Sequence, residues 1–148
     1  MIFGVSVTVS AQSAASGKKV VEQLFAAWNS RDADKFAAQF TDDALYEDVA
    51  AAHVTRGRDG VRKWAAGAFR DIENFKIKVV STFVHDGHAA AEWVWSGRDS
   101  GLFKTGKEFS VRGVSVIEIR NGKISSYREY YDFLTVMKQL GLLPGEKK

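Results

Sequence analysis

Glu108–Leu143 reads EFSVRGVSVIEIRNGKISSYREYYDFLTVMKQLGLL. Two alternating runs flank Asn121-Gly122, the strongest short hairpin signal a sequence carries. Strands are therefore predicted over Lys107–Arg120 and Lys123–Asp132. A closing helix is predicted over Phe133–Leu140, with Gly141 as its C-cap and Pro144 beyond. The second strand ends in Arg128-Glu129-Tyr130-Tyr131-Asp132. Charges among tyrosines on a half-buried strand are expensive unless paired or used. Alternation puts Tyr127, Glu129 and Tyr131 on one face and Ser126, Arg128 and Tyr130 on the other.

Toward the N-terminus the period changes. From Lys18, apolar residues Val20, Val21, Leu24, Phe25 and Trp28 fall on one helical face, and Asn29-Ser30-Arg31 ends the pattern. Asp32 is expected to cap a short second helix carrying Phe36, Ala37 and Phe40. Thr41-Asp42-Asp43 reads as a turn, Ala44–Val49 as a short strand and Ala50–Arg58 as a loop. Asp59 is expected to cap a third helix with Val61, Trp64, Ala65, Ala68 and Phe69 inward. Beyond Asn74 the period becomes two: Phe75–His85 and His88–Gly97 form a hairpin about Asp86-Gly87, and Arg98–Gly106 connects it to the next. Helices followed by antiparallel strands give an α+β domain, helices packed on one face of a curved sheet. Such a sheet forms a cone with an open mouth, a usual small-molecule site.

The chain has 148 residues, enough for one domain with a sizeable core. Its net charge of +3 comes from scattered Lys and Arg interleaved with acidic residues, so nucleic acid is not an expected partner. There is no Cys, which excludes disulfides and thiol chemistry. Residues 1–17 read as an N-terminal extension. Its apolar stretch Ile2–Val9 and the Val9-Ser10-Ala11 that follows fit either the back half of a signal peptide or a plain extension; the first implies export, the second the cytoplasm. Nothing else approaches the length of a membrane span. His53, His85 and His88 lack metal-ligand spacing, so no metal is expected, and no phosphate loop or nucleophile elbow suggests a cofactor or an acyl enzyme.

The element order and the closing NGKISSYREYYDFLTVMKQLGL make residues 18–148 resemble the SnoaL-like branch of the nuclear transport factor 2-like (cystatin-like) superfamily. The resemblance implies a cone-shaped α+β fold with three N-terminal helices on the concave face of its sheet, an apolar small-molecule ligand and a homodimer. Polyketide cyclases of that branch carry an acid/base aspartate on the last strand, a position that Glu129 occupies here. Limonene epoxide hydrolases have a carboxylate there too, with a Tyr and an Asn that match Tyr46 and Asp48. Their water-activating Arg and Asp, however, fall on Trp93 and Trp95, which cannot perform that chemistry, so epoxide hydrolysis is not expected. The cyclase histidine falls on Ser115, a second departure.

The residues themselves leave alternatives open. Glu129 beside indoles and phenols would have a raised pKa and could act as a general base; on the other face it would merely pair with an arginine. Asp48 could bind ligand or be a strand-end turn residue. Tyr46 and Tyr127 could stabilise an oxyanion or be plain core. Trp93, Trp95, Tyr127 and Tyr131 are expected to line the pocket, and His53 to lie near its mouth. The resulting expectation is a cofactor-independent cyclase or isomerase with Glu129, Asp48 and Tyr46 at its centre. Its rivals are a non-catalytic binder of the same ligands and a scaffold whose cone is filled.

Overall fold

The computed structural model describes residues 6–143, with side chains from residue 13 onward. The element order is α1 (Ser6–Ser30), α2 (Ala33–Ala37), β1 (Phe40–Asp48), β2 (His53–Arg56), α3 (Gly57–Asp71), β3 (Ile72–His85), β4 (His88–Asp99), β5 (Glu108–Arg120), β6 (Lys123–Tyr131) and α4 (Phe133–Leu140). The strands form one curled, unclosed sheet in the order β2-β1-β6-β5-β4-β3. The α+β class, the three leading helices and both Gly-centred hairpins are as the sequence predicts. The sheet is not wholly antiparallel, because β1 runs parallel to β6.

Several local expectations change. Helix α1 begins at Ser6 rather than Lys18, so Val9-Ser10-Ala11 is helical; residues 2–5 and Pro144 lie outside the described residues. Phe40, expected in the second helix, opens β1, and Thr41-Asp42-Asp43 is an irregular stretch of that strand rather than a turn. The expected loop at Ala50–Arg58 contains β2, which pairs antiparallel with β1 through Leu45↔Arg56 to Asp48↔His53. Arg56, which makes no side-chain capping hydrogen bond, occupies the N-cap of α3; Asp59 sits within the first turn. The Asp32 cap forms as expected, its Oδ1 accepting from the Asp34 and Lys35 amides at 3.0 Å each. Gly141 closes α4 in the left-handed conformation, φ 72°.

The core lies between α1, α2 and α3 and the inward face of the sheet. Trp28 is its hub, stacking on Phe75 at 5.1 Å and packing against Phe36 and Phe69 at centroid distances of 3.9 and 5.4 Å. Two polar side chains lock the helices to the sheet. Asn29 donates to Ile77 O and accepts from Ile77 N, both at 2.8 Å, acting as a one-residue strand on the edge strand β3. Arg31 donates to Phe69 O at 2.6 Å and Ile72 O at 3.3 Å, satisfying carbonyls at the end of α3.

Loop 100–107 lies on the rim of the cone. Asp99, fully buried, holds it by accepting from Phe103 N at 3.0 Å and from both Thr105 N and Thr105 Oγ1 at 2.8 Å. Those bonds hold the Asp99 carboxyl below its ordinary range, although burial alone acts the other way.

Candidate functional site

The parallel pairing of β1 with β6 builds the site. Its register sets Tyr46 beside Tyr127 and Asp48 beside Glu129. Period two along both strands then turns all four inward, with Tyr131 following on the same face. Tyr46 and Tyr127 are fully buried and stack at 4.9 Å with an interplanar angle of 19°. Glu129 is 8% exposed and Asp48 is 4% exposed.

Each carboxylate is held by neutral donors. Tyr46 OH donates to Glu129 Oε1 at 2.5 Å, and Tyr127 OH donates to Oε2 at 3.2 Å. Asp48 accepts from Tyr131 OH at 2.9 Å through Oδ2 and from the Ala51 amide at 2.9 Å through Oδ1. Behind Glu129 runs a relay. Trp93 Nε1 donates to Ser115 Oγ at 2.8 Å, and Ser115 Oγ donates to Tyr127 OH at 2.6 Å. The Trp28 indole N–H faces Tyr127 closely enough to favour its phenolate, yet makes no well-formed hydrogen bond.

This setting dictates the electrostatics. Burial, reinforced by the Asp48 charge, pushes Glu129 up to about 8; the two tyrosine hydroxyls oppose that rise without reversing it. Burial also raises Asp48 above the usual carboxylate range, with the Ala51 amide and the Tyr131 hydroxyl opposing. Tyr46, Tyr127 and Tyr131 are all pushed up, first by burial and then by neighbouring carboxylates, so they remain neutral donors.

Space opens in front of these groups as two adjoining cavities. A narrow inner cavity of about 50 Å³ is walled by Trp28, Tyr46, Trp93, Trp95 and Glu129, among others. An outer cavity of about 580 Å³ continues to the rim, where Leu102, Phe103 and Phe133 lie. Five residues border both: Asp48, Trp64, Ala68, Trp95 and Tyr131. The structure thus brings Glu129, Asp48, Tyr46, Tyr131, Trp93 and Trp95 to one cavity. Tyr127 stands behind Glu129 as its orienting group rather than in the wall. His53 lies on the edge strand β2 and stacks on Trp64 at 3.8 Å and 10°.

Ser115 and Gly113 carry functions the sequence reading does not assign. Ser115 reads there only as a missing histidine, yet it is the buried hinge of the relay. Gly113 pairs with Trp93 across β4 and β5, and a Cβ at this position would overlap the indole ring. The alternation of inward and outward positions along β5 could have flagged Ser115 as a buried hydroxyl that needs partners. Gly113→Ala is expected to displace the indole, break its bond to Ser115 and cost about 1–3 kcal/mol. Chemical denaturation with tryptophan fluorescence checks this; an unshifted midpoint and spectrum would show that the ring is not seated by Gly113.

The arrangement belongs with known proteins. A family described as the SnoaL-like domain matches residues 21–127. A protein of ketosteroid isomerase-like fold from Catenulispora acidiphila, crystallised with trimethylamine, is 25% identical, with a TM-score of 0.79 over 88% of this chain and 98% of that one. A protein from a Jannaschia species, described as a candidate SnoaL-like polyketide cyclase, is 16% identical, with a TM-score of 0.78 over 89% of this chain and 96% of that one. An epoxide hydrolase of the LEH-like type from Mycobacterium tuberculosis is 20% identical, with a TM-score of 0.73 over 86% and 90%. The last two likenesses establish the fold. With the family match spanning most of the folded chain, the protein belongs to the SnoaL-like domain family.

Proposed function

We propose that this protein is a cofactor-independent enzyme that moves a proton on an apolar, carbonyl-bearing small molecule, in an aldol-type cyclisation or an isomerisation. One observation carries the reading: Glu129 is a buried carboxyl at the inner end of an aromatic cavity, held by two phenols and raised to about 8. A carboxyl in that range is matched to proton transfer near neutral pH. Its ionised form would take the proton next to the substrate carbonyl. The C–H electron pair would pass into an enolate, and the neutral Tyr46 hydroxyl, released as Glu129 takes the proton, would turn to stabilise the developing oxygen charge. The protonated Glu129 would then return its proton to a different carbon, or would give it to the alkoxide formed when the enolate attacks a second carbonyl. Asp48 would orient the ligand.

The test is hydrogen exchange. A panel of polyketide, steroid and terpenoid ketones incubated with the protein in deuterated buffer should include compounds that lose their α-proton signal. Exchange should rise as pH approaches about 8, where Glu129 ionises. A panel that binds without exchange would favour the non-catalytic binder. That reading has its own support, since the 580 Å³ outer cavity could hold a ligand that never reaches the 50 Å³ space beside Glu129.

We also propose a homodimer through the outer sheet face. Phe83 at 72%, Tyr130 at 41% and Val114 at 37% exposed lie there together around a shallow groove. Val116 is half-buried and adds less than its strand position suggests. Apolar strand faces of this kind usually mark association. Analytical ultracentrifugation at tens of micromolar, a range where a standard-size interface holds together, should show a dimer; a monomer would refute it.

A further inference from the structure

The boundary between the two cavities has an unusual chemistry. It combines one buried carboxylate, Asp48, with the rings of Trp64, Trp95 and Tyr131. The wall of the inner cavity contains a second carboxylate, Glu129. The hydrogen bonds to both come from phenols and a backbone amide, all neutral. Among the described residues the ion pairs lie elsewhere, on the surface, and neither Asp48 nor Glu129 takes part in one. The cationic side chains nearest the mouth, Lys63 and Arg70, are exposed, and Arg70 is held by Asp71 at 2.7 Å. His53, the register partner of Asp48 across β1 and β2, lies near enough to favour the ionised carboxylate but forms no ion pair with it, and it stacks on Trp64.

A buried anion without a cationic partner is electrostatically incomplete. Aromatic rings around it supply further negative potential through their faces and exclude water. That pair of features is complementary to an organic cation whose charge is spread over methyl groups. It is poorly matched to an inorganic ion, which would need more oxygen ligands. It is also poorly matched to an anion.

We propose that the boundary between the inner and outer cavities binds an alkylammonium group, with the Asp48 carboxylate and the rings of Trp64, Trp95 and Tyr131 as its contacts. The rest of the ligand extends along the apolar outer cavity past Phe103, Phe109 and Phe133. The inference names the ligand class of the site already described. It rests on that cavity being where ligand binds and not on Glu129 acting as a base. It also has a chemical consequence. The cation favours ionised carboxylates, so binding drives a proton off Glu129 and creates the basic form at neutral pH. The groups facing the two carboxylates are Tyr46, Tyr127, Tyr131 and His53. The tyrosines stay neutral donors, and His53 favours the ionised form of Asp48. Affinity for the cation should therefore increase with pH as the two carboxyls ionise, up to about 8 where Glu129 loses its proton.

Titration calorimetry with choline and with its neutral isostere 3,3-dimethylbutan-1-ol tests this on the wild-type protein. Choline is expected to bind about tenfold more tightly, the margin of a desolvated cation–π contact with a charge partner. Proton release should appear as a buffer-dependent heat. Asp48→Asn should bring the two affinities together; because the decisive comparison is made on the wild type, a variant that fails to fold leaves the outcome intact. Equal affinities, or no binding of either probe at millimolar concentration, would overturn the proposal. Deuterium exchange of neutral ketones in the same protein reads the proton-transfer reaction separately, so cation binding without exchange, or exchange without cation preference, tells the two failures apart.

Discussion

Glu129→Gln should lower exchange or turnover by about two to four orders of magnitude, the usual contribution of a positioned base. The substitution keeps the side chain's size and much of its hydrogen bonding to Tyr46 and Tyr127, but removes the proton acceptor. Ligand affinity should change far less, because Trp64, Trp95 and Tyr131 remain in place. The wild-type rate should climb with pH and level off above about 8, where Glu129 is fully ionised. In Glu129→Gln that limb should disappear along with most of the rate. Ser115→Ala removes the bond to Tyr127 and the acceptor of the Trp93 indole without touching either carboxylate, and so offers a graded comparison: a displaced pH midpoint with a modest loss of rate. A Glu129→Gln variant that exchanges ketone protons at the wild-type rate would remove Glu129 from the mechanism.

The second large effect is on stability. Folded, Glu129 keeps its proton up to about 8; unfolded, it releases that proton near its ordinary value of 4.5. The folded state therefore binds more protons throughout this window, and stability must fall as pH rises through it. Below about 4.5 both states are protonated and the penalty is absent; above about 8 it is complete and no longer changes. The folded carboxyl holds its proton more tightly by several powers of ten, so the whole penalty is on the order of several kcal/mol. Asp48 adds a contribution of the same sign. Asp99, whose folded carboxyl is held low, works in the opposite sense but only in more acidic solution. Urea denaturation at pH 5, 6, 7 and 8 should give a declining series for the wild type and a much flatter one for Glu129→Gln. A wild-type series that is level or rising would mean that Glu129 is stabilised as an anion and would contradict the buried carboxyl described above.

Most of the architecture was legible because it is written in short-range patterns. Asn121-Gly122 and Asp86-Gly87 select their turns locally, and alternation along 123–131 shows which side of β6 faces inward. That one pattern is enough to gather Tyr127, Glu129 and Tyr131. What stayed hidden depends on partners far along the chain. The residues His53–Arg56 form a strand only because β1 offers them an edge. Thr41-Asp42-Asp43 has turn-forming composition but is drawn out by its neighbours, with Asp43 paired to Arg120 and Asp42 to Arg58. The parallel alignment of β1 with β6 leaves no local trace. Ser115 reads from sequence as a lost histidine; only its neighbours Trp93 and Tyr127 reveal what its hydroxyl does.

The alignment of β1 with β6 also determines how the chain can be divided. Each functional pair, Tyr46 with Glu129 and Asp48 with Tyr131, spans 83 residues. A cut at the exposed Asp86-Gly87 turn would send Tyr46 and Asp48 to one fragment and Glu129 and Tyr131 to the other. Neither half would carry a complete pair, and both pairs would return together when the fragments reassociate. Any proton transfer carried out at these residues would therefore be absent from either fragment alone and would require both.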